Sequence, residues 1–233
     1  MKPRRASRLV GLFAVLTLPG IILGGSPPVF AGDFRGNNRY FCPPPSSLAG
    51  VRFPADLLGE HYSPAENLEA IDVYLIDHAR RTLEIAMYAF TDRRIADAVL
   101  RAADRGVRVW IYRDGIQIRD RGDRSRRLLE SPAGRKGVIQ SLSKRNTSRN
   151  IMHLKAYLVD GRWLRTGSAN WSPPGEGAWC REGIRKHRNQ QDNNLFVTDD
   201  TREVLRFEDL FRRIWSRGTN RTLREALGER SYR

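Results

Sequence analysis

The sequence is poor in the residues that build metal centres, with two cysteines and four histidines in 233 positions. Neither Cys42 nor Cys180 has a second thiol or histidine at zinc-site spacing, and His187, seven residues past Cys180, lies outside that window. A metal pair is therefore the weaker reading. A disulfide between the two cysteines in an oxidising compartment is the other, although spacing alone does not fix its geometry.

Long apolar runs are also missing. The stretch from Leu9 to Gly24 is broken by Thr17 and Pro19 and falls short of the ~20 residues a membrane-spanning helix needs. Lys2, Arg4, Arg5 and Arg8 precede it, and the small-residue site Val29-Phe30-Ala31 follows. Residues 1–31 therefore read as a secretory signal peptide, with an uncleaved anchor as the alternative, and the expected location is periplasmic or secreted. No cysteine follows the apolar run, which argues against a lipoprotein anchor. Further on, neither an apolar lid nor an amphipathic membrane helix is visible.

Acidic residues are too few to balance the basic ones. There are 41 Lys and Arg against 26 Asp and Glu, a net charge of +15. The signal segment holds four of the basic residues and none of the acidic ones, so the remainder is still strongly basic. Ten Lys and Arg fall between Arg119 and Arg149, immediately before the most informative stretch of the chain. Such a run suits a polyphosphate partner. A solvated surface that only aids solubility is the alternative.

Residues 32–61 are rich in Gly, Pro and Ser and read as an irregular arm. Ser63-Pro64-Ala65-Glu66 has the form of a helix start with a capping box, followed by a stripe of Leu68, Ile71, Leu75, Ile76 and Ala79. Leu83–Phe90 and Val107–Tyr112 read as strands on either side of a helix capped by Thr91 or Asp92 and ended by Gly106, which together make a βαβ unit. His153–Asp160 is a further strand, Gly161 its turn, Arg162–Ser168 its hairpin partner, and Asn194–Thr198 another strand. Thr201–Ser216 closes the domain as a helix with Val204, Leu205, Phe207, Leu210, Phe211, Ile214 and Trp215 inward. The expected class is α/β, a mixed and largely parallel sheet flanked by helices. The expected domain spans 62–217, with a basic tail over 218–233.

Within the hairpin, the pattern His153-x-Lys155-x4-Asp160-x6-Gly167-Ser168-x-Asn170 stands out. Residues two apart on a strand share a face, so His153 and Lys155 should emerge together, a nucleophile or acid/base beside a fixed cation. Ser168 and Asn170 alone would be turn formers. Trp171 reads as core, and His61, His78 and His187 carry no catalytic expectation.

These six positions resemble the HKD motif of the phospholipase D superfamily. The segments around them, from about Tyr62 to Trp215, resemble its single-motif bacterial nucleases. The motif occurs once in this chain. Because the family uses it in pairs, the resemblance implies a homodimer with two copies meeting across a two-fold axis. It also implies phosphodiester displacement without metal or cofactor. One His153 forms a phosphohistidine while the other protonates the leaving oxygen, Lys155, Ser168 and Asn170 hold phosphate oxygens, and Asp160 supports. Related nucleases carry a Glu where this chain has Asn193, with Asp192 beside it. Either Asp192 takes over the support of the histidine, or that support is weaker and the pH optimum moves down.

The function this implies is an exported endonuclease acting on DNA or RNA. A phospholipase D acting on phospholipid headgroups shares the same chemistry, and the basic surface would also attract anionic lipid. A nucleic-acid-binding protein that kept the fold and lost the chemistry is the third possibility.

Overall fold

The computed structural model describes residues 50–147, 149–178 and 191–228. Cys42, Cys180, His187 and the expected signal segment lie outside the described residues. Among the described residues, no helix is long and apolar enough to cross a membrane.

In chain order the elements are β1 (Gly59–Ser63), α1 (Leu68–Asp77), β2 (Thr82–Met87), α2 (Arg93–Asp104), β3 (Arg108–Asp114), α3 (Ser125–Glu130), α4 (Pro132–Arg135) and β4 (Ile139–Lys144). There follow β5 (Lys155–Val159), β6 (Trp163–Gly167), β7 (Asn193–Thr198), α5 (Thr201–Trp215), β8 (Arg221–Thr222) and α6 (Leu223–Ala226). The strands form one mixed sheet in the order β1-β7-β6-β5-β2-β3-β4-β8. The class is the expected one, but parallel pairing is confined to β2, β3 and β4, and the other ladders are antiparallel. Only the two crossovers through helices can return the chain in the same direction, and the hairpin β5–β6 cannot.

Alternation along β2 divides the core. Leu83 and Ile85 join Leu75, Ile76, Ile95 and Val99 of α1 and α2 on one face. Ala86 lies on the other face with Tyr112, Leu158 and the α5 residues Phe207, Phe211 and Ile214. Val204 is buried as expected, but Leu205 is 55% exposed and is not part of that face.

Three expectations are corrected. The first helix does not start at Ser63: Ser63 ends β1, and the Glu66 carboxylate accepts from the Tyr62 amide and lies 2.8 Å from His61 Nδ1. Asn67 caps α1 instead, its side chain accepting from the Ala70 amide. At the N-terminal boundary the sheet begins at Gly59, inside the expected irregular arm. At the other end, Arg221–Ala226 is not tail, since β8 pairs with β4 and Leu223 and Ala226 pack on Ile118.

The basic segment also has more structure than expected. It carries α3 and α4 into β4, which pairs with β3 in parallel, Asp114 opposite Lys144. The C-terminal ends of β2, β3 and β4 therefore line up with the N-terminal end of β5. This edge of the sheet holds the site.

Candidate active site

His153 lies just before β5 and is exposed, whereas Lys155, the first residue of β5, is 7% exposed. Both meet Tyr88, which follows the end of β2. The His153 ring stands edge-on to it at 4.4 Å between centroids, and Lys155 Nζ lies 5.0 Å from the ring centre. The two motif residues thus share one aromatic floor, as the two-residue spacing predicts. Lys155 Nζ also donates to the His153 carbonyl at 2.8 Å, and the Tyr88 amide donates to the Leu154 carbonyl at 2.8 Å.

Electrostatics follow from this packing. Burial, and then the nearby Arg165 guanidinium, bring the Lys155 pKa down to about 8. Burial and the Lys155 charge lower the His153 pKa, while Asp114 opposes them. A histidine held below its usual range is neutral, hence nucleophilic, over more of the pH scale.

The Gly167-Ser168-x-Asn170 turn sits beside this pair. Continuing the β5–β6 register from Tyr157 opposite Arg165 brings Gly167 level with Lys155. Only glycine fits there: φ is +136°, and a Cβ would stand 2.4 Å from the Asn194 carbonyl oxygen. Asn170 Oδ1 accepts from the Ala89 amide at 3.2 Å, next to Tyr88. Ser168 is more committed. Its hydroxyl donates to Asn193 Oδ1 at 3.0 Å and accepts from the Asn194 amide at 2.9 Å, so it holds the turn to β7.

Asn193 therefore supports Ser168, not His153; its amino group is spent on the Gly175 carbonyl and Gln191. Asp192 is exposed beside it, and no bond joins it to His153. Asp160 is also away from His153 and Lys155, at the far end of β5, about 17 Å along the strand from Lys155 at the usual strand rise. There it takes a left-handed conformation (φ 57°), and its carboxylate accepts from the Arg80, Arg81 and Thr82 amides. Asp160 is a latch between the β5–β6 turn and the start of β2, so the expectation of a supporting catalytic role is corrected.

Beneath the motif lies a buried ionic network that the sequence did not announce. Arg165, on β6, donates to the Lys155 and Ala169 carbonyls at 3.0 and 3.1 Å, joining β5 to the turn. Its Nε and Nη2 reach Asp72 of α1, and Nη2 also reaches Glu176. Asp72 further accepts from Tyr157 and Trp171, both fully buried. Burial works against the Arg165 charge, but Asp72 and Glu176 outweigh it and raise its pKa. Burial, and then Asp72, push the Glu176 carboxyl well above its usual range, while the Arg165 guanidinium opposes them. His61 and His78 are structural, as expected: one lies against Glu66, the other stacks on Phe53.

Residues 73–215 match the family described as "Cardiolipin synthase, PLD-like domain", and the chain belongs to this phospholipase D-like family. Human mitochondrial cardiolipin hydrolase is 31% identical over 137 residues, 59% of this chain and 46% of that protein. The chain spans about half the length of the curated relatives it matches. Among solved structures, NucT from Helicobacter pylori aligns with a TM-score of 0.55 at 24% identity, covering 67% of this chain and 93% of that one. Nuc from Salmonella typhimurium, a phospholipase D family member, aligns equally well at 22% identity, covering 70% and 95%. These two likenesses establish the fold.

Proposed function

We propose that the protein is a phosphodiesterase whose nucleophile is His153, and that its substrate is DNA or RNA. The observation that carries this reading is an exposed, neutral-leaning His153 fixed beside the buried Lys155 ammonium on the Tyr88 ring. In the first step an imidazole nitrogen bonds to phosphorus and the bond to the leaving oxygen breaks. His153 of a second copy, protonated, gives that oxygen its proton. In the second step the same second histidine, now neutral, takes a proton from water. The water oxygen bonds to phosphorus, and the phosphorus–nitrogen bond breaks. Lys155 spends one proton on the His153 carbonyl and has two left for nonbridging oxygens, assisted by the Asn170 amino group. A homodimer supplies the second histidine, and the segment over residues 1–31 directs export.

Nucleic acid is favoured by the loop that leads into His153, which carries Arg145 and Arg149, both exposed. Cations beside a scissile phosphate attract the flanking phosphates of a strand. A phospholipid reading has its own support. The curated relative named above is a cardiolipin hydrolase, and Ile116 and Ile151, 57% and 40% exposed, stand at the same edge.

The test is a parallel assay in excess EDTA on plasmid DNA, single-stranded DNA and RNA, and cardiolipin vesicles across a salt series. Strand cleavage is expected, with the logarithm of the apparent affinity falling linearly against that of salt. Lipid hydrolysis without strand cleavage would transfer the assignment to phospholipid. Silence on every substrate, with nucleic acid retained in a filter-binding assay, would leave a binding protein.

A pH profile follows from the shared site. Turnover needs one of two identical histidines neutral and the other protonated, a state most populated at their common pKa. Burial and Lys155 hold that pKa below the ordinary 6.5. The kcat/KM profile should therefore peak below pH 6.5 and fall on both sides. The alkaline limb should steepen above about pH 8, where Lys155 also loses its proton. A flat profile from pH 6 to 9 would contradict the shared-proton mechanism.

A further inference from the structure

We infer that Asp114, at the C-terminal end of β3, is the positioning residue for His153, holding both the backbone that delivers the imidazole and the ring on which it rests. Its two carboxylate oxygens accept four hydrogen bonds. Oδ2 takes the Met152 amide at 2.9 Å and the Asn146 side-chain amide at 2.8 Å. Oδ1 takes the Ile116 and Gln117 amides at 2.9 and 3.1 Å. That fills the acceptor capacity of an ionised carboxylate. Burial alone would raise the Asp114 pKa, but the Met152, Asn146, Ile116 and Gln117 donors outweigh it and lower it, so the group stays charged through the neutral range.

Each oxygen governs one side of the site. Met152 precedes His153, so the bond to Oδ2 fixes the last peptide before the nucleophile. Asn146 at the other end of the same loop is fixed by the same atom, and Lys144 closes the loop by donating to the Ile151 carbonyl. On the other side, Gln117 is held through its amide to Oδ1 while its side chain donates to the Tyr88 hydroxyl at 3.2 Å. The ring beneath His153 and the peptide in front of it are thus referred to one carboxylate. The charged groups facing His153 are Lys155 from β5, which disfavours its protonation, and Asp114 from β3, which favours it. Asp114 therefore also sets where the histidine titrates. With Asn193 engaged on Ser168, it is the carboxylate that acts on His153, through the backbone and through its field.

The inference rests on His153 being the nucleophile only for its kinetic arm. The first measurement is the titration of His153 by imidazole NMR in the intact protein, wild type against Asp114→Asn. The expected result is a midpoint moved to lower pH in the variant. Kinetically, Asp114→Asn should lose roughly 10- to 100-fold in kcat with KM little changed, since a misplaced reacting group costs rate more than binding. Asp114→Glu should restore the midpoint but not the full rate, because it returns the charge one methylene out of place. An unchanged midpoint and an unchanged kcat in a folded Asp114→Asn variant would overturn the inference. If that variant fails to melt cooperatively, Asn146→Ala carries the test: a several-fold lower kcat at constant KM is expected, and wild-type kcat overturns it. A moved midpoint in a protein inactive on every phosphodiester would sustain the positioning role and defeat only the catalytic reading.

Discussion

His153→Ala is expected to remove at least ~10⁴-fold of the phosphodiesterase rate, because it deletes the atom that bonds to phosphorus and, in the partner copy, the proton donor. No neighbouring group replaces it: Lys155 is buried and already donates to the His153 carbonyl, and Tyr88 presents its ring to the imidazole. The melting temperature should stay within a degree or two of wild type, since the side chain is exposed. Mixed dimers sharpen the result. A heterodimer of His153→Ala with wild type contains one histidine where two are needed, and it should be nearly as inactive as the variant homodimer. Single-turnover assays on purified heterodimers measure this directly. Retention of half the wild-type rate would mean that each copy works alone and that the shared site is wrong.

Asp72→Ala is expected to destabilise the fold by about 3–5 kcal/mol, the cost of leaving a buried charge without its partner. Asp72 is fully buried and accepts from Arg165 Nε and Nη2, the Tyr157 hydroxyl and the Trp171 indole, at 2.8 to 3.0 Å. Its loss orphans donors from β5, β6 and the motif turn together. Glu176 is left as the sole carboxylate on Arg165. Asp72→Asn keeps the shape and one acceptor oxygen and should cost less. Urea denaturation of the two variants measures the difference. A cost under 1 kcal/mol for the alanine variant would show that the network is not what ties the motif strand to α1.

The placement of His153 beside Lys155 was legible in the sequence because its geometry is local. A strand's two-residue repeat is enough to bring His153 and Lys155 together, and the following turn is written in Gly167. The stripes of α1, α2 and α5 were legible for the same reason, apart from Leu205. Residues supplied by other strands were not. Tyr88 follows β2 and Asp114 ends β3, and only the pairing of β2 with β3 and with β5 carries them to His153. A signal did exist for Asp114, a carboxylate followed by glycine at the carboxyl end of an apolar strand, where α/β sheets gather their sites. Spacing placed Asp160 at the strand end beyond Lys155, but the Arg80, Arg81 and Thr82 amides that hold it come from the start of β2 and could not be read from the motif. The strand β4 was hidden in a basic run, IQSLSK, whose apolar positions are few. Ser63 satisfied the rule for a helix start, but the Tyr62 amide and His61 claimed the glutamate that the capping box needed.

The pairing of β1 with β7 gives the molecule a timetable. Ser63 and Asn193 are 130 residues apart, yet the amide of Asn193 donates to the Ser63 hydroxyl, and the side chain of Asn193 in turn holds Ser168. During synthesis β2, β3, β4 and β5 can assemble as soon as they emerge, setting His153 and Lys155 on the Tyr88 ring. Ser168 gains its partners only when Asn193 and Asn194 have been added, and the link from Asn193 back to Ser63 closes the longer loop. The turn is thus completed after the pair, and a nascent chain that already displays His153 and Lys155 lacks the contacts that hold the turn beside them.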